Sequence, residues 1–267
     1  MTGQIWTLFG VNLAVMVVAM TLISIPSFRT RDPSYIDAFW GIGFVILAFS
    51  SFLQAAAGDF GDPARKGLLV GLCAAWGFRL GGYLLWRWRR NGPDPRYQAI
   101  LASRKSGSEK LYIWRRVFLV QAFVLTVTAL PVQLGQVYDD RLTWSNWLGA
   151  GLALFGIAFE STADFQLAAF KGNPDNHGQV MDRGLWHFSR HPNYFGETCT
   201  WWGLGLLAWS NGVTAVALLG PLVITFFLLK VSGVGLLEKS LTKTKPKYVD
   251  YIRTTSAFVP LPKKKLA

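Results

Sequence analysis

Between residues 182 and 197 the chain reads Asp182-Arg183-Gly184-Leu185-Trp186-His187-Phe188-Ser189-Arg190-His191-Pro192-Asn193-Tyr194-Phe195-Gly196-Glu197, its densest run of side chains that can do chemistry. Pro192 suits the first turn of a helix, where its missing N–H costs nothing. The helix it opens carries Asn193 and Glu197 one turn apart on one face. A helix start offers free N–H groups and the positive end of the dipole, and Arg190 and His191 flank this one, so the pattern suits an anion such as a phosphate. His191 alone would read as an ordinary histidine at a helix cap; the complete string says more than any of its members.

These residues sit in an unusual background. Of 267 residues 51% are hydrophobic and only 16% charged, with mean hydropathy +0.29, whereas a soluble domain carries about 25% charged residues. The chain therefore reads as an all-α, multi-pass membrane protein, one domain over residues 1–267. Apolar stretches long enough to cross about 30 Å of hydrocarbon, at ~20 residues each, are expected at 6–25, 36–56, 66–86, 117–135, 144–165, 193–209 and 213–237. That makes seven transmembrane helices. The N-terminal stretch lacks the basic start and small-residue cleavage site of a signal peptide and reads as the first span. Trp6, Trp40, Trp144 and Trp209 read as interfacial belt residues.

The net charge of +12 would suggest nucleic acid if it were evenly exposed. It is not: only Arg65, Lys66 and Arg141 fall in outer loops when the N-terminus is outside, while Arg79 and Lys230 fall within spans. Every other Lys and Arg then lies inside, which sets a cytoplasmic C-terminus by the positive-inside rule and excludes a nucleic-acid partner. Residues 87–116 and 166–192 become cytoplasmic loops and 238–267 a basic cytoplasmic tail, whose lysines read as topology signals drawn to anionic lipid. Cys73 and Cys199 lack metal-ligand spacing and read as small apolar residues. A bacterial inner membrane is the expected home.

Charges inside a bilayer are costly and usually mark function. Threading the spans in alternate directions brings Asp37, Arg79, Glu160, Asp164, Asn193, Glu197 and Lys230 to one layer in the cytoplasmic half. Internal pairing, for instance of Arg79 with Glu160 or Asp164, would explain single members; a pocket explains the set.

The string G-L-W-x-x-S-R-H-P-N-Y-F-G-E, followed by Trp201-Trp202-Gly203 and by Leu237-Glu238-Lys239, Tyr248, Tyr251 and Phe258-Val259-Pro260, resembles the steroid 5α-reductase-like membrane proteins. That superfamily includes sterol reductases and isoprenylcysteine carboxyl methyltransferases. The resemblance covers roughly residues 157–260, with Arg79 and Asp94-Pro95-Arg96-Tyr97 matching more loosely. It implies a seven-helix bundle enclosing NADPH in its cytoplasmic half and a lipid-like substrate entering from the bilayer. Cofactor contacts are implied at Arg96, Tyr97, Asp164, Lys171, Arg183, Arg190, His191, Asn193, Tyr194, Lys230 and Glu238; Glu197 lines the same site. The steroid reductases place a catalytic glutamate on the second span, which here reads as apolar after Asp37, and a catalytic tyrosine on the third, where Tyr83 is the only tyrosine.

The expected reaction is hydride transfer to the C=C bond of an enone such as a 3-oxo-4-ene steroid. Charge then develops on the carbonyl oxygen and calls for a donor that binds it best in the transition state. Tyr83, polarised by Asp37 or Glu160, or a buried protonated carboxyl, fills that role; Tyr83, Asp37 and Glu197 are the candidate catalytic residues. The main alternative is an S-adenosylmethionine-dependent methyltransferase, which shares the R-H-P-x-Y-x-G core. A transporter or receptor lacks support, since no inverted repeat or pair of broken helices is visible.

Overall fold

The computed structural model describes residues 2–210, 214–231 and 233–264, and among these it is helical, with no strand and one isolated bridge between Ser189 and Ser256. Five helices are long and apolar enough to cross a membrane: α1 (Thr2–Ser24), α2 (Ile36–Ala57), α3 (Pro63–Asn91), α5 (Glu109–Thr128) and α6 (Trp144–Gly172), with the short α4 (Pro95–Ala102) between α3 and α5. Two further helices in the apolar stretches are shorter: α7 (Pro192–Leu207), of 16 residues, and α8 (Ala215–Val231). The polar helices α9 (Val234–Thr244) and α10 (Tyr248–Thr254) follow.

The long helices leave large apolar side chains bare. Phe49, Leu53, Phe78, Phe123, Phe155 and Phe165 are all exposed, a pattern that water would penalise and lipid would not. Trp6 and Trp144 are exposed near helix ends, as belt residues should be. Trp40, half-buried near the start of α2, donates its indole N–H to Gln121. Of the tandem pair Trp201-Trp202, Trp201 is fully buried and the half-buried Trp202 donates to Thr225 Oγ1 at 3.2 Å.

The chain forms two compact units. The first comprises residues 1–147 and 207–220. Its centre is the α2–α3 pair, whose backbones touch: a Cβ on Gly41 would lie 2.1 Å from the Gly77 carbonyl oxygen, and one on Gly77 would lie 2.4 Å from that of Gly41. In lipid, where apolar burial gives helices no net attraction, such close backbone approach is what holds them together. Beside it lies a polar knot. Asn12 Nδ2 donates to Ser51 Oγ (2.8 Å) and Gln133 Oε1 (2.9 Å), while its Oδ1 accepts from Ser50 Oγ (2.7 Å) and Gln54 Nε2 (3.0 Å). Every hydrogen-bonding position of that amide is filled. The second span is therefore not apolar after Asp37; Ser50, Ser51 and Gln54 give it a polar stripe.

The fourth span is displaced from its expected place at 117–135. It begins at Glu109, capped by Ser108 Oγ, passes through a π-helical stretch at Trp114–Leu119, and stops at Thr128, after which Leu130–Leu134 forms a separate turn with Pro131 near its start. Proline cannot donate to the preceding turn, so the helix breaks there. The third helix overruns its expected end at Trp86 through Arg87–Arg90 to Asn91, because arginines are good helix formers.

The second unit comprises residues 148–206 and 221–267. Here α6 and α7 meet along a seam of glycines: added Cβ atoms on Gly156, Gly196 and Gly203 would lie 2.4, 2.6 and 2.4 Å from the backbone nitrogens of Thr200, Glu160 and Ala153.

Candidate functional site

In the second unit the α6–α7 seam sets the register of polar side chains. With Gly196 against Glu160, the residue one turn earlier on α7, Asn193, comes level with Asp164, and its Nδ2 donates to Asp164 Oδ1 at 3.2 Å. Asp164 and Glu160 are both buried. Glu197 stands half-buried on the next turn of α7.

Before α7 the chain makes a tight approach. Ser189 Oγ accepts from the His191 backbone N–H (3.1 Å) and donates to the Phe258 carbonyl (2.8 Å), so one hydroxyl fastens the turn to the C-terminal segment. The Arg190 guanidinium is nearly enclosed and forks onto Glu238, Nε to Oε1 at 2.7 Å and Nη2 to Oε2 at 3.2 Å. Its Nη1 donates to the carbonyls of Ile252 and Thr255. His191 Nε2 lies 3.2 Å from the same Glu238 Oε1, and the His191 ring stacks on Tyr194 at 5.4 Å between centroids and 3° between planes. Burial acts to raise the Glu238 pKa, but the hydrogen bonds and charges of His191 and Arg190 outweigh it and hold the carboxyl below its ordinary range. Tyr251, whose hydroxyl donates to the carbonyls of Trp186 and Ser189, closes the far side; burial pushes its phenol well up, so it remains a donor.

Six of the expected residues, Asp164, Arg190, His191, Asn193, Tyr194 and Glu238, thus interlock in pairs within this unit. Lys171 at the end of α6, Arg183 and Lys230 are exposed. Ser189, Tyr251 and the 255–264 segment are participants that side-chain chemistry alone did not single out; the signal was the hydroxyl beside Arg190-His191 and the tyrosine on α10.

In the first unit Asp37, Arg96 and Tyr97 come together. Asp94 caps α4 by accepting from the Arg96 N–H (2.9 Å), and Pro95 takes the first helical position, which turns both following side chains toward Asp37. Arg96 Nη2 donates to Asp37 Oδ2 at 2.6 Å and Tyr97 OH to Asp37 Oδ1 at 2.5 Å; Gln121, bonded to Trp40, adds a longer contact to Tyr97. Arg96 also forks onto Asp94. Burial raises the Tyr97 phenol and the Asp37 charge adds to it, so Tyr97 stays protonated as donor to the carboxylate. Tyr83, half-buried on α3, stacks on Trp86 at 5.9 Å. Tyr97 is thus a tyrosine that reaches Asp37.

Fold and site together define a helical, membrane-embedded protein with a buried Arg–Glu–His cluster at the start of α7. The chain belongs to the DUF1295 family, described as "Protein of unknown function", which it matches over residues 5–255. Searches of curated proteins and of solved structures gave no match.

Proposed function

We propose that this protein is a membrane-bound, NADPH-dependent reductase acting on the C=C bond of a membrane-soluble enone such as a 3-oxo-4-ene steroid, with α7 and α8 completing seven spans and the N-terminus outside. The observation that carries the reading is the interlocked set at the start of α7, Arg190–Glu238–His191 beside Asn193–Asp164, built by the string that resembles the steroid 5α-reductase-like proteins.

The donor set fits a dinucleotide phosphate. Lys171, Arg183 and Lys230 are exposed cations suited to phosphate oxygens, the Asn193–Asp164 pair offers both donor and acceptor to a ribose or carboxamide, and the parallel His191–Tyr194 pair presents flat surface to a base. Arg190 has a different task from the one its sequence position suggests. Four of its five N–H groups are already directed to Glu238 and two carbonyls, so it positions His191 and α7 rather than reaching for phosphate. NADPH, when bound, supplies the hydride. The chain must exclude water and hold a proton donor at the substrate carbonyl oxygen, a role we assign to Tyr83.

The test uses full-length protein in detergent, followed by thermal shift with calorimetry against NADPH, NADH and S-adenosylmethionine. The reductase reading expects stabilisation by NADPH over NADH, weakened by Arg183→Ala and Lys171→Ala. It also expects Tyr83→Phe to keep NADPH binding while losing about 10²–10³ in turnover of an enone steroid. A methyltransferase is the second reading, favoured by the acidic Glu238 lodged against the R-H-P segment; stabilisation by S-adenosylmethionine alone would establish it and overturn the first.

A further inference from the structure

The C-terminal segment folds back on α10 and on the turn before α7. Leu261 N–H donates to the Phe188 carbonyl at 3.0 Å and Lys264 N–H to that of Thr254 at 2.8 Å, while Lys263 Nζ lies 3.4 Å from Asp182 Oδ2 and 6.0 Å above the Tyr251 ring. The fold-back borders an open-mouthed cavity of about 280 Å³ whose polar lining is Arg190, Arg253, Lys264, Thr255 and Ser256. Among the described residues no carboxylate lines it.

Charge around it is unevenly compensated. Glu238 faces Arg190 through the buried fork, and Asp250 faces Arg253 at 3.8 Å with both side chains about two-thirds exposed, a pair that solvent weakens and that an incoming anion can displace. Among the described residues no carboxylate pairs with Lys264. Two hydroxyl-bearing residues stand among these cations, and Thr255 is buried. Cations with hydroxyl donors and no acid are what a phosphate group selects.

We infer that the cavity bounded by Arg253, Thr255, Ser256 and Lys264 is a binding site for a phosphate group, separate from any nucleotide site. Leu261, which lines it, is exposed, and so are Val249 on α10 and Val259 in the C-terminal segment; bare apolar side chains in the same segments as cations match the boundary between lipid headgroups and acyl chains. The phosphate of an anionic lipid headgroup and a free phosphate share the recognising chemistry, and the experiment separates them.

Full-length protein is reconstituted in nanodiscs of phosphatidylcholine with rising fractions of phosphatidylglycerol, and separately titrated with inorganic phosphate in neutral discs, with thermal unfolding as the readout. Wild type is expected to gain stability saturably. In Lys264→Gln and in Arg253→Gln, two surface changes outside the nucleotide set, the half-saturating lipid fraction or phosphate concentration should rise about tenfold, as loss of one charge-assisted contact implies. Lys105→Gln, which removes an exposed charge elsewhere, should leave it unchanged. A response to phosphatidylglycerol alone assigns a lipid headgroup; a response to inorganic phosphate as well assigns a site open to free phosphate. No saturable response, or equal responses in wild type and both variants, overturns the site.

Discussion

Glu238 shows how one side chain can hold three elements. It receives Arg190 and His191 from the turn before α7, and Arg190 in turn grips the carbonyls that end α10. Removing one partner from such an enclosed pair costs about 3 kcal/mol, because the other charge is left uncompensated. We therefore expect Glu238→Gln to lower the unfolding midpoint markedly at neutral pH. The same variant tests the ionisation. A carboxyl whose pKa is lower in the folded than in the unfolded protein contributes stability fully above its ordinary value of 4.5 and loses it as pH falls through the folded value. Wild type should lose stability steeply on acidification below that value and Glu238→Gln less so, the two curves converging in acid. Parallel curves would remove the lowered pKa from the account.

At the scale of elements, the glycine seams decide where side chains meet. A methyl on Gly41 has no room beside the Gly77 carbonyl, so Gly41→Ala must push α2 from α3 and lower the unfolding midpoint. Gly71→Ala, where nothing lies within 4 Å, should be neutral or stabilising by up to about 1 kcal/mol from helix propensity; a Gly41→Ala variant as stable as Gly71→Ala would show that close backbone packing does not hold the pair. Asn12→Leu deprives Gln133, Gln54 and two serines of their shared partner and should cost more than the ~0.6 kcal/mol typical of a single hydrogen bond in a membrane. These elements also mark the limits of sequence reading. Apolar length located five helices, and helix periodicity put Asn193 and Glu197 on one face. Pro131 was visible, yet only the fold shows that it ends the fourth span. The pairing of Asn193 with Asp164 depends on which glycines face which backbone, and the Arg190–Glu238 fork joins residues 48 apart. Neither has a local signature. Arg190 reads as an anion contact because it stands beside a helix start, where anions bind; that it also has a carboxylate partner in another helix is shown only by the fold.

At the scale of the whole molecule, topology connects the charge distribution to the reading of a cytoplasmic site. The 16 residues of α7 rise about 24 Å at 1.5 Å each, short of the ~30 Å hydrocarbon core, so whether α7 and α8 cross as a hairpin is the decisive point. Single cysteines introduced at exposed positions 59 and 106, at Ser145, at Asn176 and at Trp209, in a background lacking Cys73 and Cys199, can be probed with a membrane-impermeant maleimide on sealed vesicles of known orientation. Two long helices separate 59 from 145 and two separate 106 from 176, so each pair must label from one side and the pairs from opposite sides. The excess of Lys and Arg predicts that 106 and 176 face the cytoplasm. Position 209 should label with 59 and 145 if α7 crosses. Labelling of 209 with 176 instead would make α7 and α8 a re-entrant pair, leaving five spans and a C-terminus that still lies on the side of residue 176.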